Sequence, residues 1–415
     1  MKRSVARTRL LSRCFAHVLN LIVKAILAEL GSSTYKQATE YLDRVSEAIA
    51  KRRERRLDLP GAQGVVAKLR IIVLWIIRSP HRIQEWKKRD NAPKIVNYDV
   101  DTRWNFTLRM IDDAFDCRSA INDSCDDIDA LKDMKLRPEE WNQLDKIREI
   151  LRPFRKFTEY CSREQPSIQM LARMYNEVGL LLRRISQKQG PFSTIDSSLV
   201  SAVTKGIEVF EKYYSYIGEH DLYYIATVLD PRIKTKWIEE NCESPTEVID
   251  RIRAFLKATY PVPDSELPSN TIDNVFQSLE YQFVAPFLDR STEEAIEYDI
   301  DTYLNTPRVK YHGTKTEDQS QWILSWWNAN KNQFPCMALA ARELLAIPAS
   351  EVDCERIFSE ARDLLGIRRY AMNGETMRTM MLLKGALKSK RLIEEAEKST
   401  VKDVHASHMP QRRNQ

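Results

Sequence analysis

The chain has 415 residues, 43% hydrophobic and 30% charged, the balance of a soluble globular protein large enough for two or three lobes. Only 11 glycines are present, and neither G-x-G-x-x-G nor G-x-x-x-x-G-K-S/T occurs, which disfavours Gly-rich nucleotide loops and turn-dense β-architectures. The net charge of +5 is uneven: residues 1–100 hold 21 Lys/Arg against 9 Asp/Glu, so the first quarter would attract polyanions and the rest would not.

In chain order, segment 10–30 carries Leu11, Phe15, Val18, Leu19, Ile22 and Ile26 at spacings of three and four, a buried helix stripe, with Gly31 as a stop. The basic, acid-free stretch 1–28 also has the composition of a transit peptide, and a buried helix is the favoured reading. Segment 34–58 predicts a second, strongly charged helix that ends near KRRERR (51–56) and is broken by Pro60–Gly61. Val65, Leu69, Ile72, Trp75 and Ile76 predict an amphipathic helix over 63–79, ended by Pro80, with the short piece HRIQEWKKR after it. Residues 94–104 alternate weakly, and a stray strand is expected near 94–102. Helices are expected over much of 106–187, then over 196–217 and 246–259, with Pro231 interrupting 221–237. Residues 289–320 are polar and acidic and read as a surface excursion. The tail after 389 lacks an apolar face and reads as disordered.

The C-terminal block is the most informative. Phe334–Pro335 opens a helix with Met337, Ala341, Leu344 and Leu345. Ser350 and Asp353 look like a capping box for a helix whose stripe is Cys354, Ile357, Phe358, Ala361, Leu364 and Leu365. A last helix holds Met377, Met380, Met381, Leu383 and Leu387, a broad methionine-rich face suited to an adaptable partner surface. Read by periodicity alone, these stripes fit a monomer core better than a partner surface. The seven cysteines are scattered without a C-x-x-C, which fits buried free thiols in a reducing compartment. No apolar run reaches the ~18 residues of a membrane span.

"LAIPAS", "ERIFS", the pair Arg368–Arg369 and "LLKGAL" follow one another in the order found in the C-terminal dimerisation region of hAT-superfamily (hobo/Activator-type) transposases, and residues 326–387 resemble that region. Upstream, RCFAHVLNLIV (13–23) is similar to the family's Cys-x-x-His segment and DVDTRWNFTLRMI (99–111) to its T-R-W segment; IATVLDPRIK and EYDIDTYL are weaker echoes. The flavour is nearest to fungal hAT elements.

The resemblance implies a mainly α-helical chain: a helical insertion domain plus C-terminal dimerisation helices, attached to a remnant of an RNase H-like core lacking most of its strands. It divides the chain into a basic helical remnant (1–93), the insertion domain (94–320), the dimerisation region (321–388) and the tail. It assigns Glu355 as the last carboxylate of a two-metal DDE site and places Arg103 and Trp104 near a processed DNA end, where an aromatic can stack on an unstacked base. Each residue also has a plainer reading: a solvated Glu355, and a surface Arg103 beside a core Trp104.

Cys14 and His17 are three apart and would share a helix face. No second Cys/His pair lies near them, so a structural role is expected rather than zinc. The first Asp of the chain is Asp43, beyond the Cys-x-x-His segment, so the family's first two metal-binding aspartates and its BED zinc finger are expected to be missing.

The expected function is therefore that of a transposase-derived homodimer or homo-oligomer, catalytically incomplete and nuclear. No metal or cofactor is expected; Mg²⁺ or Mn²⁺ would enter only with a complete triad in a longer product. Dimer contacts are expected from Leu344, Ile357, Phe358, Leu364, Met377, Met380 and Leu383. DNA is a second expected partner, through Arg52, Arg53, Arg55, Arg56, Arg103 and Trp104. KRRERR reads equally as a solvated helix face or a nuclear-import signal. No membrane or small-molecule substrate is expected.

Overall fold

Apolar residues three and four apart become buried helix stripes in the computed structural model, which describes residues 14–32, 34–50, 64–99, 103–161, 168–218, 221–260, 299–311, 319–350, 373–387 and 390–391. Contacts divide the chain into two units, Met1–Ser350 and Glu351–Gln415. Among the described residues the fold is helical, with no strand beyond one bridge residue at Pro348.

Helix α1 (Phe15–Glu29) buries Phe15, Val18, Leu19, Ile22, Val23, Ile26 and Leu27. It ends in a Schellman motif: Gly31, at φ +67, donates to the Ala28 carbonyl and Ser32 donates to that of Leu27. Helix α2 (Tyr35–Ala50) packs on α3 (Val65–Ile77), and α4 (Pro80–Lys87) follows with proline in its first turn. The sequence predicts an amphipathic α3, yet Val65 to Leu74 are buried on nearly every side except at Lys68. A helix that is apolar all round lies inside the fold, and α3 is enclosed accordingly.

Helices α5 (Asn105–Asp116), α6 (Arg118–Asp127) and the 24-residue α7 (Pro138–Cys161) continue the bundle. Helix α8 (Leu171–Ser186) then packs on α9 (Ser197–Gly218), which also lies along α1. Helices α10 (Leu222–Val228), α11 (Lys236–Asn241) and α12 (Pro245–Thr259) complete the middle of the chain. Residues 95–99, where a stray strand is expected, have no regular structure. No neighbouring strand is there to pair with; Trp86 Nε1 instead donates to the Lys94 carbonyl at 2.9 Å, and Asn97 N to Asp113 at 3.1 Å.

The expected surface excursion at 289–320 is corrected in its described part. Helix α13 (Asp299–Asn305) is a core element: Tyr303 is wholly buried, as are Asp299 and Ile300. Helices α14 (Gln319–Ala329) and α15 (Pro335–Leu344) pack with it.

Long-range polar contacts tie this end together. Asp299 Oδ2 accepts from Cys336 N at 2.7 Å and Met337 N at 3.0 Å, capping α15 from another helix. Tyr303 Oη and Trp327 Nε1 donate to the last carbonyls of α10, at Val228 (2.9 Å) and Leu229 (2.8 Å). The buried Lys234 ammonium closes α13, donating to Tyr303 O, Thr306 O and Thr306 Oγ1 within 2.7 Å. Burial pushes its pKa down to about 8.

In the second unit the described structure is one helix, α16, over 374–387.

Candidate self-association surface

Helix α16 starts at Asn373, whose Oδ1 accepts from Thr376 N at 2.8 Å, an N-cap at the usual spacing. At 3.6 residues per turn, Met377, Met380, Met381, Leu383 and Leu387 fall on one broad apolar face. The methionines are half-buried, while Leu383 is 60% and Leu387 52% exposed. Leu382, 65% exposed, lies off that face. Single exposed leucines are ordinary; here Leu383 and Leu387, one turn apart, share the apolar face of a capped helix.

In unit 1, Leu344 is buried at the end of α15, so its side chain is used by the core of its own chain rather than by a partner. The spacing that suggested it, next to Met337 and Ala341, is a core stripe. Trp104 is likewise corrected as a base-stacking residue. It is 3% exposed and meets Phe154 of α7 edge-on, with ring centroids 6.4 Å apart, and its N–H donates to Asn20 of α1. Arg103 beside it is exposed. Cys14 and His17 do not share a face: α1 begins at Phe15, so Cys14 is the buried residue before the helix and His17 points outward. The expected sites at Arg52, Arg53, Arg55, Arg56, Glu355, Ile357, Phe358 and Leu364 lie outside the described residues.

Among the described residues five carboxylates are buried, and each has a structural partner. Asp99 of the 95–99 segment accepts from Arg70 Nε at 2.8 Å, from Arg70 Nη2, and from Thr107 Oγ1 at 2.6 Å. Burial pushes the Asp113 carboxyl up, but the Lys94 ammonium at 2.5 Å and the Asn97 amide pull it below its ordinary range. Glu140 behaves in the same way: burial raises it, while the Arg137 N–H and Lys68 lower it further. Asp230 accepts a two-point contact from Arg232 at 2.8 Å, with Arg173 3.6 Å away. Asp299 caps α15, and burial leaves its pKa raised. These groups hold cations and helix ends; they do not converge, and no cluster of three metal-ligating side chains occurs among the described residues.

The surface leucines of α16 fall inside a stretch, 299–387, matched by the sequence model of the hAT family C-terminal dimerisation region. Residues 12–150 match that of the ZBED1 RNase-like helical domain. Similarity runs along most of the chain to full-length relatives. One named a transcriptional regulator, tpeD, from Talaromyces stipitatus is 26% identical over 384 residues, 89% of this chain and 41% of the relative. One named an AC transposase from Zea mays is 24% identical, covering 90% and 43%. The zinc finger BED domain-containing protein DAYSLEEPER of Arabidopsis thaliana is 25% identical, covering 68% and 40%.

The chain carries a hAT family C-terminal dimerisation region and is similar along most of its length to a transposase and to BED zinc finger proteins. It spans about two fifths of the length of these relatives. The hAT resemblance read from "LAIPAS", "LLKGAL" and the T-R-W segment is borne out, including its fungal flavour, as is the mainly helical fold. Within the hAT dimerisation region, α16 is the described element with an uncovered apolar face. Leu387 was legible as part of the 377–387 stripe, whereas the exposed Leu382 lies off that face. No helix of the described residues is long and apolar enough to cross a membrane.

Proposed function

We propose that this chain is a transposase-derived protein that works as a homodimer or homo-oligomer in the nucleus, pairing through the apolar face of α16. The observation that carries this reading is the exposed Leu383 and Leu387 inside the hAT dimerisation region. Burying large apolar side chains yields ~25 cal/mol per Å², which offsets the ordering cost of association when several are covered together. Ile357, Phe358 and Leu364 belong to the same proposed surface.

Light scattering on the full chain tests it. We expect a dimer or larger assembly that becomes a monomer in Leu383→Asp with an unchanged thermal melt. A monomeric wild-type chain would sink the proposal.

The proposal includes catalytic incompleteness: these residues by themselves do not cut DNA. Its support is that each buried, described carboxylate holds a cation or a helix end and that no three metal-ligating side chains come together among the described residues. DNA nicking in Mg²⁺ or Mn²⁺ that is lost in Glu355→Ala would overturn this part.

A second reading, compatible with the first, is nonspecific DNA retention through the basic first hundred residues, with Arg103 and the arginines at 52, 53, 55 and 56 contacting phosphate. The excess of Lys/Arg there and the transposase relatives favour it. Such retention falls steeply with added salt.

A further inference from the structure

A cleft of about 410 Å³ opens between the end of α3, helix α4 and the end of α6. Two indoles, Trp75 and Trp86, form part of its wall, and His81, Arg82, Glu85 and Arg89 supply its polar groups. Its volume lies in the range of small-molecule sites and is far more than a lone inorganic anion fills.

The cations of the cleft and its rim are not equivalent. Arg89 pairs with Asp127 at 3.0 Å, Lys88 with Glu85 at 2.6 Å, and Arg78 with Asp43 at 2.9 Å. Glu85, the carboxylate in the wall, is thus neutralised by Lys88, which with the other nearby cations lowers its pKa. Arg82 has no carboxylate among the described residues. Its guanidinium lies 4.0 Å from the Trp75 ring centroid and spends one N–H on the Trp75 carbonyl at 3.1 Å. Burial, and then the neighbouring Arg78 charge, hold its pKa below the ordinary value. A partly buried, indole-backed guanidinium with unused donors is a fork set for an anion. The half-buried Trp75 ring adds a π surface for a flat partner, while Trp86, 3% exposed, backs the cleft from inside. Lys87 and Lys88, exposed on the same helix, extend the positive path away from the cleft.

We propose that this cleft takes one nucleotide unit, with the planar base against the tryptophan wall and the phosphate on Arg82. The unit is either a free mononucleotide or an unpaired nucleotide of a nucleic-acid strand. In the second case the proposal rests on, and deepens, the DNA reading above.

The test uses the full chain with four probes: AMP, adenosine, inorganic phosphate and a single-stranded oligodeoxythymidylate. Calorimetry and the Trp75 indole N–H resonance, assigned through Trp75→Phe, are the readouts. AMP or the oligonucleotide should move that resonance, while adenosine and phosphate bind more weakly because each supplies half of the recognition. Arg82→Gln should weaken binding about tenfold, the usual loss for a hydrogen bond to a charged group. Arg82→Lys should recover part of it, and Lys36→Gln, an exposed charge on α2, should change nothing.

Binding of AMP alone assigns the site to free nucleotides, and competition between AMP and the oligonucleotide assigns it to a strand. A silent Trp75 resonance with every probe, or an Arg82→Gln chain that melts normally and binds as tightly as wild type, overturns the proposal. Salt-sensitive DNA retention unchanged by Arg82→Gln would leave the DNA reading standing and remove this one.

Discussion

Asp99→Ala is expected to cost about 3–5 kcal/mol of stability, the range for removing one partner of a buried ion pair. Asp99 is 1% exposed and Arg70 5%. Without the carboxylate, Arg70 on the enclosed helix α3 loses the contact that two of its nitrogens make with Asp99 in the interior, while Thr107 Oγ1 stays at 3.3 Å. The loss reaches beyond one pair, because Asp99 joins three pieces: α3, the irregular 95–99 segment, and the first turn of α5. That turn follows Trp104, which packs on α7, so the T-R-W segment is positioned from both sides. Replacing the whole group in Arg70→Met/Asp99→Leu/Thr107→Val should restore most of the stability, since an apolar set of similar volume carries no desolvation penalty. Urea titration of the wild type, single and triple variants reads the difference. A single-variant loss below about 1 kcal/mol would show that Arg70 finds water or another acceptor, and that Asp99 is not the pin.

Local pattern made much of the helical frame legible. The spacing of Phe15, Val18, Leu19, Ile22 and Ile26 gives α1, and Gly31 gives its end with the expected positive φ. What local pattern could not reveal were partners distant in sequence. EYDIDTYL reads as acidic surface because the N–H groups that satisfy Asp299 lie 37 residues later, at the start of α15. The alternation at 94–102 reads as a strand only if another strand is there to pair with, and the described residues hold none. His17 was placed on the Cys14 face by spacing alone, yet Cys14 precedes the first helical residue and takes its direction from the incoming chain.

The same limit applies to the sites. The α16 stripe was legible because it is short-range, five methionine and leucine positions within about three turns. The cleft was not, because Trp75 and Arg82 sit on either side of the Pro80 break, and only the angle between α3 and α4 stacks one on the other. A resemblance carried by short motifs therefore located the region that matches the hAT dimerisation model, but gave Trp104 an open face that it does not have. Trp104 shows why: a motif identifies a residue, whereas burial decides which of its surfaces remain available.

Gly64→Ala is expected to be the second most damaging change, at about 3 kcal/mol, the upper end of the cost of overpacking. Gly64 sits just before α3, where its backbone passes the Schellman turn that ends α1. A Cβ there would press on the Leu30 carbonyl oxygen and come within 2.6 Å of that of Gly31. Both obstacles are backbone, so no side chain can swing aside; the ends of α1 and α3 must move apart, and α1 is held against α7 and α9. Ordinary φ at Gly64, −76, rules out backbone strain as the cause and isolates close approach. Gly190→Ala is the matched control: its φ is +60 with open space around the new methyl, so it should cost only about 1 kcal/mol through the left-handed conformation. Thermal melts of both variants separate the two mechanisms, and equal losses would mean that the α1–α3 junction yields more readily than its backbone contacts imply. Because α3 also carries Trp75, Gly64→Ala should disturb the indole resonance used to read the cleft, whereas Gly190→Ala should not.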